Sequence, residues 1–134
     1  MTSFLDQLQA AVTAATERVG PAVIGLGRGW GRGSGVVVAD GRVLTSAHVL
    51  RGEEVAVKRA DGEFVLGRVA GRDDDLDVAV IEADTGGAPA IAWDPAVVDG
   101  LRAGQAVFAL ADPGGRGLRT TFGLVTATGR SFRG

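Results

Sequence analysis

A chain of 134 residues with 46% apolar residues is long enough to bury a core, which excludes a disordered chain. The formal charge of −2, spread without a basic stripe, gives no electrostatic footprint for nucleic acid. The absence of cysteine excludes a disulfide scaffold and a thiolate zinc site, and with one histidine any metal site would have to be built from carboxylates.

The opening residues, Met1 to Asp6, lack a basic stretch followed by a long apolar run. As written, the chain therefore reads as cytoplasmic, and no segment reaches membrane-spanning length. Residues 3–19 read as a helix, with Phe4, Leu5, Leu8, Val12, Ala15 and Val19 at spacings of three and four. Ser3 is placed to cap it and Gly20-Pro21 to end it. The expectation is a helix packed on the body of a domain.

Past Pro21 the pattern changes to short apolar runs separated by turn residues, and 22 glycines with 5% aromatics fit a β-rich chain. The predicted strands are Ala22–Leu26, Gly35–Ala39, Arg42–Ser46, Glu54–Arg59, Glu63–Ala70 and Leu76–Glu82. Asp40-Gly41 and Asp61-Gly62 mark hairpin turns. The continuous run Val78-Ala79-Val80-Ile81 predicts a strand buried throughout. Six strands with short connections suit a small closed barrel, which leaves no exposed edge.

Residues 83–104 carry Gly86-Gly87, Pro89, Pro95 and Gly100 and read as a linker crossing the barrel surface. Gln105–Ala111 and Thr120–Thr128 read as two more strands around the turn Asp112-Pro113-Gly114-Gly115. Two strands do not close a sheet, so this second unit reads as incomplete. The Gly/Arg-rich stretch 25–35 fits neither dinucleotide nor P-loop spacing and reads as a loop between strands. Trp30 and Trp93 read as packing residues, and Asp73-Asp74-Asp75 as a solvated turn.

Four segments carry the chemistry: Gly33-Ser34-Gly35, Asp40-Gly41, Leu44-Thr45-Ser46-Ala47-His48-Val49, and Asp77-Val78-Ala79-Val80-Ile81. In this order and spacing they resemble the trypsin-like serine proteases of the HtrA/Deg type, whose pattern runs G-S-G, D-G, L-T-x-A-H-V and D-x-A-V-I/L. The likeness continues through Gly104-Gln105-Ala106-Val107, Asp112-Pro113-Gly114-Gly115 and Gly123-Leu124-Val125-Thr126-Ala127-Thr128-Gly129-Arg130. Asp112 stands where the family usually has Asn, and Thr126 where it usually has Ser. The resemblance covers roughly residues 20–130.

The resemblance implies an all-β, trypsin-like double β-barrel with an N-terminal α-helix. Residues 1–20 would form the helix, 21–83 a complete first barrel, 84–103 a linker, and 104–134 the truncated start of a second barrel. It implies peptide-bond hydrolysis through an acyl-enzyme, with His48 as general base and then acid, and Asp77 as a buried carboxylate orienting the imidazole. Ala47, being small, would let the imidazole sit close to neighbouring backbone. No cofactor or metal is implied.

The nucleophile is absent from this pattern. No Gly-Asn/Asp-Ser-Gly-Gly follows Asp77, and Ser131, in Gly129-Arg130-Ser131-Phe132, lacks the glycines that expose a nucleophile. Ser3, Ser34 and Ser46 belong to the helix or the first-barrel strands. Three readings follow. The chain is the front of a longer protease; it is a half-protease completed by a second chain; or it is an inactive trypsin-like module used for binding. A completed enzyme would take protein or peptide substrates, without nucleic acid or membrane, and the resembling family is often exported.

Overall fold

Two turn sequences set the layout. Asp40-Gly41 joins strands of opposite direction in a two-residue loop, with Ala39 facing Arg42 across it. Gly41 (φ 72°) and Gly62 (φ 88°) adopt the left-handed backbone that such turns demand. In the computed structural model, which describes residues 3–27 and 33–128, the chain forms helix α1 (Phe4–Val19), then β1 (Val23–Leu26), β2 (Gly33–Ala39), β3 (Arg42–Thr45), β4 (Glu54–Lys58), β5 (Phe64–Asp73) and β6 (Val78–Glu82). A single-turn helix, α2 (Ala96–Asp99), precedes β7 (Ala106–Ala111) and β8 (Arg119–Leu124).

The first six strands close into a barrel in the order β1-β2-β3-β6-β5-β4, every neighbouring pair antiparallel. Closure depends on β5, which at 10 residues is the longest strand. Its first half pairs with β4 and its second with β6, with a register shift between Val69 and Gly71. A bulge of this kind bends a strand and raises its twist, which lets one strand serve both sides of the ring. Leu26, Val37, Val43, Val57 and Ile81 fill the interior and are essentially inaccessible to solvent.

The β6 run departs from its sequence reading. Ala79 and Ile81 point inward and are buried, whereas Val78 is 38% exposed and Val80 half-buried. A barrel strand has one inner face, so a continuous apolar run still alternates. The half-open outer face of Val78 belongs to an apolar groove considered below.

The second sheet has two strands, β7 and β8, paired from Ala106–Leu124 to Ala111–Arg119, with Phe108 and Phe122 rings 5.9 Å apart. It docks on the barrel through the turn at residues 112–115. The Asp112 N–H donates to Ser34 Oγ at 2.8 Å, and Lys58 Nζ donates to the Gly115 carbonyl at 2.6 Å. The all-β class with an N-terminal helix is thus as expected.

Helix α1 begins at the Ser3 cap, where Ser3 and Asp6 form a reciprocal capping box. Its packing is partial. Leu8, Val12, Ala15 and Val19 are half-buried, Thr16 Oγ1 lies 3.4 Å from Thr120 Oγ1, and Phe4 and Leu5 stay exposed.

Between the two sheets, the Ile91 N–H donates to the Val37 carbonyl and ties the crossing segment to β2. Trp93, expected to pack, is instead 71% exposed. It lies beyond that tie on a surface stretch, where none of the described elements covers its ring. Trp30 and Ser131 lie outside the described residues. Among the described residues, no helix is long and apolar enough to cross a membrane.

Candidate active site

The register of β3 and β6 brings the two candidate residues together. Thr45 faces Ala79 at the last rung of that ladder. Two residues further along each strand, in the same register, stand Ala47 and Asp77. The Ala47 N–H donates to the Asp77 carbonyl at 3.2 Å, extending the ladder past the end of the strands. His48 follows within a 3₁₀ turn, Ala47–Val49, that lifts its ring off the barrel rim. Ala47 itself is buried in the core cluster, where a small side chain lets the turn sit against the barrel.

Asp77 uses all of its acceptors on this turn. Oδ1 accepts the His48 backbone N–H at 2.8 Å, and Oδ2 lies 2.6 Å from His48 Nδ1. With a carboxylate as partner, hydrogen bonding assigns the ring proton to Nδ1 and leaves the Nε2 lone pair free. Asp77 is also the one non-glycine residue with a positive φ among the described residues, at 55°. Aspartate is among the few residues that tolerate the left-handed region. Here it turns the chain so that both the carbonyl and the side chain of residue 77 face residues 47 and 48.

The carboxylate differs from its expected setting in one respect. Asp77 is half-exposed, at 46% of its side chain, and His48 is more open at 71%. Both sit on the rim of the barrel, where none of the described elements roofs them. Burial therefore contributes little to the site's electrostatics, and hydrogen bonding does most of the work.

The His48 ring bond, then the His48 backbone N–H, hold the Asp77 carboxyl below the ordinary carboxylate range, against an opposing effect of desolvation. The carboxylate form is thus favoured by folding. The stability this confers is present above the ordinary Asp pKa of about 3.9 and is lost as pH falls through the lower folded value. Carboxyl ¹³C NMR of Asp77 is expected to show a midpoint below that ordinary value. His48→Ala, which keeps the backbone N–H and removes the ring, is expected to move it part of the way back. A wild-type midpoint at or above the ordinary value contradicts the pairing.

The serines among the described residues are committed elsewhere or lack the partner. Ser3 caps α1, and Ser34 Oγ lies within 3.4 Å of the Ile24 carbonyl while accepting from Asp112. No serine hydroxyl among the described residues hydrogen-bonds to His48. Asp73, Asp74 and Asp75 are all exposed, but the turn expected of the three starts one residue later: Asp73 ends β5, paired with Val78, and accepts from the Leu76 N–H, while Asp74 and Asp75 lie in the turn, with Asp74 accepting from Arg72. Arg72 is a residue the sequence reading passed over. Its Nη2 donates to the Ala47 carbonyl at 3.2 Å. Its place just before an acidic run was the available signal.

Beside the rim lies an open groove of about 710 Å³ between α1, the barrel and β7, lined mainly by apolar side chains such as Val19, Val23, Leu44, Val78, Phe108 and Leu110.

Residues 33–134 match the trypsin-like peptidase domain. Similar curated proteins include a putative serine protease, HhoB, of Synechocystis sp., 37% identical over 103 residues. Another is the periplasmic pH-dependent serine endoprotease DegQ of Escherichia coli, 33% identical over 106 residues. Each alignment takes in 75% of this chain but only 24% and 23% of the relative, so the chain spans about a quarter of the length of the relatives it matches. Among solved structures, the HtrA-type protease AlgW with a tripeptide superposes at a TM-score of 0.76 with 32% identity, covering 89% of this chain and 40% of AlgW. A serine endoprotease from Yersinia pestis superposes at 0.72 with 30% identity, covering 87% of this chain and 44% of its own.

Proposed function

The chain belongs to the trypsin-like peptidase family, with relatives of the HtrA/Deg type, and from that premise we propose that it carries the base and the orienting carboxylate of a serine endopeptidase. The nucleophilic serine, in this reading, comes from polypeptide beyond these 134 residues. The observation that supports it is the two-point hold of Asp77 on residue 48, one oxygen on the backbone N–H and the other on ring Nδ1.

The arrangement suits the reaction step by step. Asp77 keeps the ring proton on Nδ1, so Nε2 presents its lone pair outward. A serine hydroxyl placed at Nε2 gives up its proton as its oxygen attacks the peptide carbonyl. The imidazolium formed is stabilised by the Asp77 carboxylate, and its Nε2 proton passes to the leaving amine. Water then repeats the sequence on the acyl-enzyme. Backbone N–H groups near the serine would hold the oxyanion, and they belong to the same supplied segment.

The groove between β2, β3 and β7 is where that segment would pack. It is apolar, it adjoins a two-stranded sheet whose outer edges are unpaired among the described residues, and it lies beside the half-open pair. Covering it would dry the site and strengthen the His48–Asp77 bond.

The test is a fluorophosphonate probe and casein turnover, applied to the 134-residue chain and to a chimera that continues it through the serine-bearing part of HhoB. The chain alone is expected to take up no probe. The chimera is expected to be labelled and active, and its His48→Ala form to be neither. A folded chimera without labelling, or labelling of the short chain, overturns the proposal. Adding the HhoB part as a separate polypeptide distinguishes completion by a second chain from continuation of the same one. Peptide binding by the short chain, with an inert chimera, marks a binding module.

A further inference from the structure

One peptide unit lies at the centre of this site, the one linking Ala47 to His48. In a trans peptide the C=O and N–H point in opposite directions, so a group on each end fixes the plane. The N–H end, at His48, is held by Asp77 Oδ1 at 2.8 Å. The C=O end, at Ala47, accepts the Leu50 N–H of the same turn at 3.1 Å and, from outside the turn, Arg72 Nη2 at 3.2 Å.

Arg72 is itself fixed. Its Nε and Nη2 both donate to Asp74 Oδ1, at 3.0 and 2.8 Å, and its side chain is only 37% exposed. Its backbone faces Ala79 on β6, and Ala79 in turn faces Thr45 on β3. The guanidinium therefore reaches past the start of β6 to the turn that carries the histidine.

We propose that Arg72 is a positioning residue for His48, clamping the carbonyl end of the Ala47–His48 peptide while Asp77 clamps the amide end. The inference rests on the reading of His48 and Asp77 given above. The clamp does two things. It adds to the Leu50 bond a second restraint, anchored on β5, against rotation of the peptide, which would carry the His48 N–H away from Oδ1 and the ring away from Oδ2. It also polarises the peptide, since a cationic donor on the C=O makes the N–H of the same unit a stronger donor. Asp74 supplies the counter-charge that keeps the guanidinium in place. The acidic turn thus acts on the histidine through Arg72.

The 134-residue chain contains a single histidine, so ring ¹⁵N signals are unambiguous. The experiment compares wild type, Arg72→Met and Arg72→Lys in the ¹⁵N-labelled chain, reading amide exchange at His48 and the share of neutral ring protonated on Nδ1. Arg72→Met is expected to speed His48 amide exchange about tenfold, the effect of losing a typical net hydrogen bond. It is also expected to lower the Nδ1-protonated share, with the barrel amides of Val43 and Ile81 unchanged. Lysine, which keeps the charge but not the fork, is expected to restore part of both.

Two outcomes overturn the proposal. One is both His48 readouts unchanged in Arg72→Met with the barrel intact. The other is His48 exchange rising only in step with Val43 and Ile81, which marks a general stabiliser. If Arg72→Met fails to fold, the same two criteria are applied to Arg72→Lys, where unchanged His48 readouts overturn the clamp. Asp77→Asn separates this proposal from the one beneath it. If that change leaves the ring signals alone, the His48–Asp77 reading falls; if it moves them and the Arg72 changes do not, only the clamp falls.

Discussion

Asp77→Asn in the chimeric, serine-bearing chain is expected to reduce kcat about 10⁴-fold with little change in KM. Asparagine keeps the size of the side chain and tolerates the left-handed backbone at φ 55°, so the turn should stay as it is. Its carbonyl oxygen can still accept the His48 N–H, which places the amide NH₂ against the ring. Nδ1 must then accept instead of donate, the proton moves to Nε2, and the nitrogen that should receive the serine proton has no free lone pair. Alanine at 77 would confuse this by adding backbone strain, which makes asparagine the cleaner probe. Steady-state kinetics on a peptide ester decide it, and activity within tenfold of wild type refutes the role given to Asp77.

Gly25→Ala is expected to destabilise the fold by about 3 kcal/mol, the upper end of what forced overpacking costs. A Cβ at residue 25 would stand 2.2 Å from the Gly115 nitrogen, 2.4 Å from its Cα and 2.8 Å from the Asp112 carbonyl. These are backbone atoms, which cannot turn aside as a side chain does. The turn at 112–115 would have to lift off β1, breaking the Ser34–Asp112 and Lys58–Gly115 hydrogen bonds that dock the second sheet. Gly52→Ala provides the comparison, because a Cβ there meets nothing within 4 Å. It is expected to change stability by less than about 0.5 kcal/mol. Urea denaturation of the two variants tests the contrast, and equal midpoints would show that the joint between the sheets contributes nothing.

Local patterns carried the strands because their causes are local. Asp-Gly turns, alternating or continuous apolar runs and the Ser3–Gly20 helix limits were each readable within a few residues. The meeting of His48 and Asp77 was readable only through a family pattern. The register that aligns Thr45 with Ala79, and so Ala47 with Asp77, is a long-range property of a closed barrel. Three features escaped for related reasons. Exposure of Asp77 depends on what roofs the rim, which no motif encodes. Trp93 was read as packing from its size, but its surroundings are set by where the crossing segment is tied, at Ile91. Arg72 acts through a backbone carbonyl, and a carbonyl leaves no mark in the sequence of side chains.

Each of the six barrel strands has a partner on both sides, and that closure bears on how such a protein can be assembled. A ring leaves none of its own strands unpaired, so the histidine and the aspartate can take up their mutual geometry as soon as the ring is made. If the serine follows in the same polypeptide, as proposed above, the pair would be in place during synthesis before the nucleophile emerges.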